Sequence, residues 1–384
     1  MVEEPASGVP RQRQTRTTNG RAERGRAVLP RRRLLLLDTL RLFAAAAVML
    51  YHYTAIDYAP WATSSRQVFP VLSNVTAYGF MGVQLFFVIS GFVILMSAWG
   101  RSVGQFAASR ISRLYPAYWT GVLLTGFLIV VLAKGTFKDV SVPQILVNLT
   151  MMQKAVGVSH VDGVYWTLWV ELLFYMLIGI LLSIGITYGR VLVFIFLWPV
   201  VAALADRADS TFLVSLLVPQ YAPLFAMGMA LFLVHRYGHS FIRWAGVGFN
   251  LALAATLGAQ GQLQNASNHT QEELSPVVFG AVLAILVGLV ALCTVTPFRY
   301  RGFAWMSIAG ALTYPFYLVH EYWGWWVISL VGDQFGPVFT ILVAACLSLT
   351  LAWLIHRFVE RPSARSLRKA VERGLMAPAE PAKF

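Results

Sequence analysis

The sequence predicts an all-α, polytopic membrane protein with about ten transmembrane helices and both termini cytoplasmic. Three observations carry that expectation. Of 384 residues, 58% are hydrophobic and 12% are charged, too apolar a balance for a soluble chain of this length. Apolar runs of about 20 residues, the length that crosses a bilayer's hydrocarbon, recur from residue 34 to about 358 with no polar block large enough to be a soluble domain. The basic residues alternate between the ends of these runs as the positive-inside rule requires.

The elements follow in order. The segment "RQRQTRTTNGRAERGRAVLPRRR" within residues 1–33 is basic and lacks apolar periodicity, so a disordered cytoplasmic tail is expected. It is too long for a signal-peptide n-region, and no small-residue cleavage site follows the first apolar run. Spans are predicted at about 34–53, 78–98, 116–133, 165–187, 190–206, 211–235, 241–258, 276–295, 304–330 and 337–357. Pro199 interrupts the fifth span, and Pro219 and Pro223 interrupt the sixth; neighbouring helices re-satisfy the backbone at such breaks. Long outer connections are expected at about 54–77, 134–164 and 259–275, and a cytoplasmic tail at 359–384. Of the 30 basic residues, Arg66, Lys134, Lys138, Lys154 and Arg207 fall on the outer side and all the others on the inner. The net charge of +13 is therefore a topology signal, and nucleic acid is not a partner on this reading. Cys293 and Cys346 lie inside apolar runs without CxxC or His-rich company, which indicates packing rather than a disulfide or a metal site.

Ionisable residues inside spans are costly and mark cavities or partners. In "LLLLDTLRLFAAAAVMLYHY", Arg41 and His52 are 11 residues apart, which leaves an angular offset of only about 20° and a rise of about 16 Å. Asp38 precedes Arg41 by one turn. All three fall on one stripe, with Arg41 near the inner boundary. The fourth span, "VYWTLWVELLFYMLIGI", carries Glu171 with Thr167 and Tyr175 stacked on its face. The ninth, "GALTYPFYLVHEYWGWW", has a proline break at Pro315, then Tyr317, His320 and Glu321. Counted from their membrane faces, His52, Glu171 and His320 lie at comparable depth, which predicts one shared polar chamber. The "EYWGWW" run reads as an interfacial aromatic belt. On the inner side, "SRISRLYPAYW" sets Arg110 and Arg113 one turn apart, with Pro116 starting the next span; two guanidiniums at that spacing make a phosphate clamp.

In order along the chain, "LDTLRLFAAAAVMLYHY", "GVQLFFVISGFVI", "SRISRLYPAYW", "YWTLWVELLFY", "TYPFYLVH" and "FVERP" resemble the motifs of the acyltransferase family 3 membrane proteins, which include bacterial O-antigen acetylases and macrolide acyltransferases. The resemblance runs from about residue 34 to 362 and makes 34–358 the expected acyltransferase membrane domain. It implies transfer of an acetyl or other short acyl group from acyl-CoA to a hydroxyl, usually on a sugar, by a multi-pass plasma-membrane enzyme with no metal. It implies His52 as the catalytic histidine, Arg41 as its partner, and Glu171 and His320 as further catalytic residues. Arg41, Arg110, Arg113 and Tyr115 are expected on acyl-CoA, and Asp38, Trp166, Tyr175, Tyr314 and Tyr317 on the substrates. The chemistry suits the residues: a neutral imidazole can take the proton of an acceptor hydroxyl, although a covalent acyl-histidine is also open. Ser90 in "FFVISGF" reads as a packing residue rather than a nucleophile. The alternative class is a proton-coupled transporter or flippase, whose buried His and Glu would relay protons.

Overall fold

The structure, a computed structural model, describes residues 34–57 and 60–376. The tail expected at 1–33 and the last residues of the C-terminal tail lie outside the described residues. The described chain is built on eleven long helices: α1 (Leu35–Thr54), α2 (Gly82–Ala98), α3 (Val103–Phe127), α4 (Trp166–Ser183), α5 (Tyr188–Arg207), α6 (Ala222–Tyr237), α7 (Phe241–Gly258), α8 (Pro276–Val295), α9 (Ala304–Val331), α10 (Pro337–Ile355) and α11 (Arg361–Met376). No β-strand occurs among the described residues.

Local signals set the helix starts. Ser102 and Gln105 form a reciprocal capping box at α3, Thr187 caps α5, and Ser275 caps α8 with Pro276 in its first turn; each side chain satisfies amide donors that have no partner within the helix. The break expected in the sixth span is present: a short helix, Thr211–Leu217, stops at left-handed Val218 (φ 47°), and α6 begins afresh with Pro223 in its first turn. Three other prolines do not act as expected, and one of them is Pro199, through which α5 runs without interruption. Pro116 lies inside α3 rather than at its start, and α9 runs through Pro315 without a break. All three prolines are buried, and packing on neighbouring helices compensates for the lost backbone hydrogen bond. As a result Arg110 and Arg113 ride on the same continuous helix as the third span.

Among the described residues nine helices, some with the turns that continue them, are long and apolar enough to cross a membrane. The tenth expected span, α9, is not one of them: at 28 residues it reaches about 42 Å, but its Tyr, Trp, His and Glu side chains lower its hydropathy. Those side chains are buried from Pro315 to Trp325, so α9 meets protein rather than lipid over this stretch and can carry polar groups. It packs most extensively on α10 and α1.

Helices α1, α3 and α9 run in parallel. Gly302 meets Leu35, Gly310 meets Asp38 and Gly324 meets Tyr53 along the α1–α9 seam, while Tyr314 Oη donates to the Leu114 carbonyl of α3 at 3.1 Å. Helix α2 crosses α6 at Gly91 and Gly228, where any Cβ would collide with the backbone carbonyls of Phe225 and Val88; glycine lets the two backbones meet. Helix α4 opposes α3 and α9 but starts low. Its first turn is level with Leu318 and Glu321, since Tyr165 Oη donates to the Leu318 carbonyl (3.2 Å) and the Val164 amide to Glu321 Oε2 (3.0 Å). The connection before it descends beside α3: Ile145 abuts Gly126, Trp119 donates to the Leu149 carbonyl at 2.9 Å, and Tyr115 donates to the Thr150 carbonyl at 3.0 Å. The expected 259–275 connection is itself helical, ending in Gln264–Thr270. Helix α11 continues α10 through a widened turn, His356–Glu360, and lies on α3.

Candidate active site

The α1 stripe serves two adjoining compartments. Toward the Leu34 end, Arg41 opens on a cavity enclosing about 730 Å³ of empty space, open solvent at its mouth included. Helices α1, α2, α3, α4 and α9 line it, and its polar groups include Arg41, Ser90, Arg110, Arg113, Glu171 and Tyr175. Glu171 accepts hydrogen bonds from Ser90 Oγ (2.9 Å) and Tyr175 Oη (2.8 Å). Arg110 is buried at 8% exposure. Its guanidinium lies over the rings of Phe106 (5.9 Å) and Tyr175 (6.0 Å), and one nitrogen donates to Ser109 Oγ at 3.1 Å. Its Nε is buried with no hydrogen-bond partner. A buried guanidinium with an unsatisfied donor is primed for an anion, and the charges of Arg113 and Arg41 bear on the same space.

Toward the Thr54 end stand His52 and His320, with ring centroids 5.1 Å apart. His52 Nδ1 lies 2.8 Å from the Val48 carbonyl and His320 Nδ1 lies 2.9 Å from that of Tyr317. A carbonyl accepts only, so each Nδ1 carries the hydrogen and each Nε2 the lone pair. His52 Nδ1–H also faces His320 Nε2 at 3.3 Å, which leaves His52 Nε2 as the basic atom of the pair. The backbones on both sides are pinned: Trp325 Nε1 donates to the His52 carbonyl at 3.0 Å and Tyr53 Oη to that of His320 at 2.6 Å.

Tyr317 separates the compartments. It lines the cavity, holds its ring tilted 5.5 Å from that of His320, and shares a hydrogen bond with Thr167 Oγ1 at 3.1 Å. Neither His52 nor His320 lines the cavity.

The structure therefore brings together Arg41, Arg110, Arg113, Glu171, Tyr175, Tyr314 and Tyr317 around one space, and His52 with His320 behind it. The single chamber expected for His52, Glu171 and His320 is corrected. Because α4 starts level with Glu321, its first two turns carry Glu171 down to the level of Tyr314, beside the arginines. Two further placements differ. Tyr115, expected on the donor, is turned to the Thr150 carbonyl. Trp166, expected on a substrate, packs against Phe87 (6.3 Å) and Tyr221 (5.3 Å), about 100° around the helix from the Thr167–Glu171–Tyr175 face. Asp38 stands against Gly310, a cavity residue, and its charge acts on Arg41.

Sequence reading missed Asp162 and Lys138. Both come from the 134–164 connection, Asp162 fully buried beside Glu321 and Lys138 at 4.9 Å over the Tyr322 ring. The legible signal was an Asp immediately before the start of a helix, an N-cap pattern. Among the described residues no cluster of His, Cys, Asp and Glu is disposed to hold a metal ion.

Comparison with known proteins gives a consistent result. A family model described as an acyltransferase domain matches residues 34–357. The acyltransferase MdmB of Streptomyces mycarofaciens is 31% identical over 150 residues, 38% of this chain and 38% of that protein. Nodulation protein 10 of Rhizobium leguminosarum bv. viciae is 29% identical over 173 residues, 40% of this chain and 45% of that protein. The matched stretches thus span less than half the length of either relative. No solved structure matches the chain.

Proposed function

The chain belongs to the acyltransferase family whose domain spans its residues 34–357, and on that premise we propose that it moves an acetyl or other short acyl group from acyl-CoA to a hydroxyl of a sugar-bearing acceptor, an antibiotic or a cell-envelope glycan, at the plasma membrane. The observation that carries this reading is the single stripe of α1. It joins an arginine-lined cavity to a histidine whose Nε2 is the lone-pair atom.

The donor contributes an activated thioester carbonyl and a thiolate leaving group. Arg110, with its unsatisfied Nε, and Arg113 and Arg41 suit its phosphates, because planar guanidiniums match phosphate oxygens. His52 Nε2 takes the acceptor's proton as the hydroxyl oxygen attacks the carbonyl; the C–S bond breaks as the C–O bond forms, and the proton ends on the departing sulfur. His320 Nε2 accepts from His52 Nδ1–H, which holds the tautomer and orients the ring. Glu171, held by Ser90 and Tyr175, organises the arginine cavity rather than the histidine pair.

The test is to incubate protein in lipid nanodiscs with radiolabelled acetyl-CoA and candidate acceptors. Acylated product is expected from the wild type. His52→Ala should abolish product while acetyl-CoA binding is retained. A protein that translocates solute without consuming acyl-CoA would establish the transporter reading instead.

A further inference from the structure

Lys138, Asp162 and Glu321 form a charge cluster where the 134–164 connection meets α9, with both carboxyls buried and Lys138 half-buried. Asp162 is 0% and Glu321 4% exposed. Asp162 Oδ1 and Glu321 Oε2 both accept from the one Val164 amide, at 3.2 and 3.0 Å. Asp162 Oδ2 has no donor at all. Gly163 leaves room for this arrangement, since a Cβ there would sit 2.6 Å from the Glu321 oxygens. Two buried carboxyls so close cannot both stay ionised, so they share one proton; that proton supplies the donor Asp162 Oδ2 lacks. In agreement, burial and then Glu321 push the Asp162 carboxyl well above the usual range.

The other groups facing the pair leave one net negative charge balanced by one cation. Lys138 donates to the His160 carbonyl at 2.9 Å and acts on both carboxyls. His160 is held down to about 4 by burial and by Lys154 and Lys138, so it is neutral. Tyr53, Tyr118, Tyr165 and Tyr317 complete the surroundings. The pair is coupled to the histidines in two ways. Glu321 follows His320 directly on α9, and Lys138 lies over the Tyr322 ring, which packs 5.2 Å from Trp325, the donor to the His52 carbonyl; the charge the pair shares bears on His52, which otherwise faces His320 and His269.

We infer that Asp162 and Glu321, sharing one proton beside Lys138, are positioning residues that supply the countercharge to His52 when it takes the acceptor's proton. The inference rests on the reading of His52 as the base. An imidazolium formed in a buried site needs a negative partner, and Glu171 is committed to the arginine side.

Capping the start of α4 would by itself explain the two hydrogen bonds at Val164, so the test must read charge rather than fold. The pH profile of kcat/KM is measured in nanodiscs for Asp162→Asn, Asp162→Asn/Glu321→Gln and Asp162→Asn/Glu321→Gln/Lys138→Met. Asp162→Asn leaves the one negative charge on Glu321 and should keep the acid limb near its wild-type position. Asp162→Asn/Glu321→Gln removes the charge, should lose rate by roughly tenfold near neutral pH, and should move the acid limb down by about one pH unit, the effect of one charge on a titrating neighbour. The direction follows because a histidine without its countercharge protonates at lower pH. The triple variant, with the cation and both carboxyls removed, should return the limb toward its wild-type position. Should the double variant fail to fold, Lys138→Met, which removes the cation and leaves the anion, should move the limb up instead. A double variant that folds, binds acetyl-CoA and loses rate equally at every pH would overturn the inference and leave the carboxyls as helix caps. Turnover by His52→Ala would instead remove the base assignment on which the inference rests.

Discussion

At the scale of single residues, the arginines of α3 divide unequal work. Arg110 is buried against two aromatic rings with an unsatisfied Nε, whereas Arg113 is exposed. Arg110→Lys keeps the charge but loses the planar fork, so the KM for acyl-CoA should rise roughly tenfold to a hundredfold, the range for hydrogen bonds to a charged group. Initial-rate measurements at varied acyl-CoA check this, and Arg113→Lys should change KM much less. Which residues carried charge into the spans was plain from the sequence, because Asp38, Arg41, His52, Glu171 and His320 break otherwise apolar runs. Which of two partners each would meet was not. A 100° step on a helix decides whether Tyr175 or Trp166 faces the cavity, and the sequence of α4 is apolar enough on every side to hide its orientation.

At the scale of elements, close approaches between backbones do what side-chain patterns alone do not reveal. The α2–α6 crossing depends on Gly91 and Gly228. Gly91→Ala should destabilise the protein by about 1–3 kcal/mol through overpacking, seen as a lower Tm in detergent, while Gly280→Ala, where nothing lies within 4 Å, should leave it unchanged. Helix α4 shows where counting from the bilayer surface fails. Its apolar run is of spanning length, so the expected depth of Glu171 was taken from the outer face. The start of α4 is instead sunk to the level of Glu321 and capped there by buried acids, and the first two turns bring Glu171 to the arginines. Only a contact between segments more than 150 residues apart fixes that offset. Pro116 and Pro315 teach the same point: a proline marks a boundary only when no neighbouring helix makes good its lost hydrogen bond.

At the scale of the molecule, spans and connections were legible because lipid demands long apolar runs of every helix that faces it. Helix α9 escapes that demand. From Pro315 to Trp325 it is surrounded by protein, so its run is more polar than the others, and there the polar residues are the signal: Tyr314, Tyr317, His320 and Glu321 meet the site and its flanking acids. A central polar helix ringed by apolar ones concentrates the chemistry on the part of the fold least exposed to the bilayer.

Tyr317, standing between the arginine cavity and the histidine pair, has a consequence for fidelity. A thioester waiting beside an unguarded base would be lost to water, an idle turnover that wastes activated acyl groups whenever acceptor is scarce. Tyr317 insulates the waiting donor, so acyl-CoA should be nearly inert until an acceptor is present. Tyr317→Ala opens that insulation: free thiol released from acetyl-CoA without acceptor, followed with a thiol-reactive dye, should rise several-fold over the wild type, and an unchanged background would show that water is kept from the thioester elsewhere.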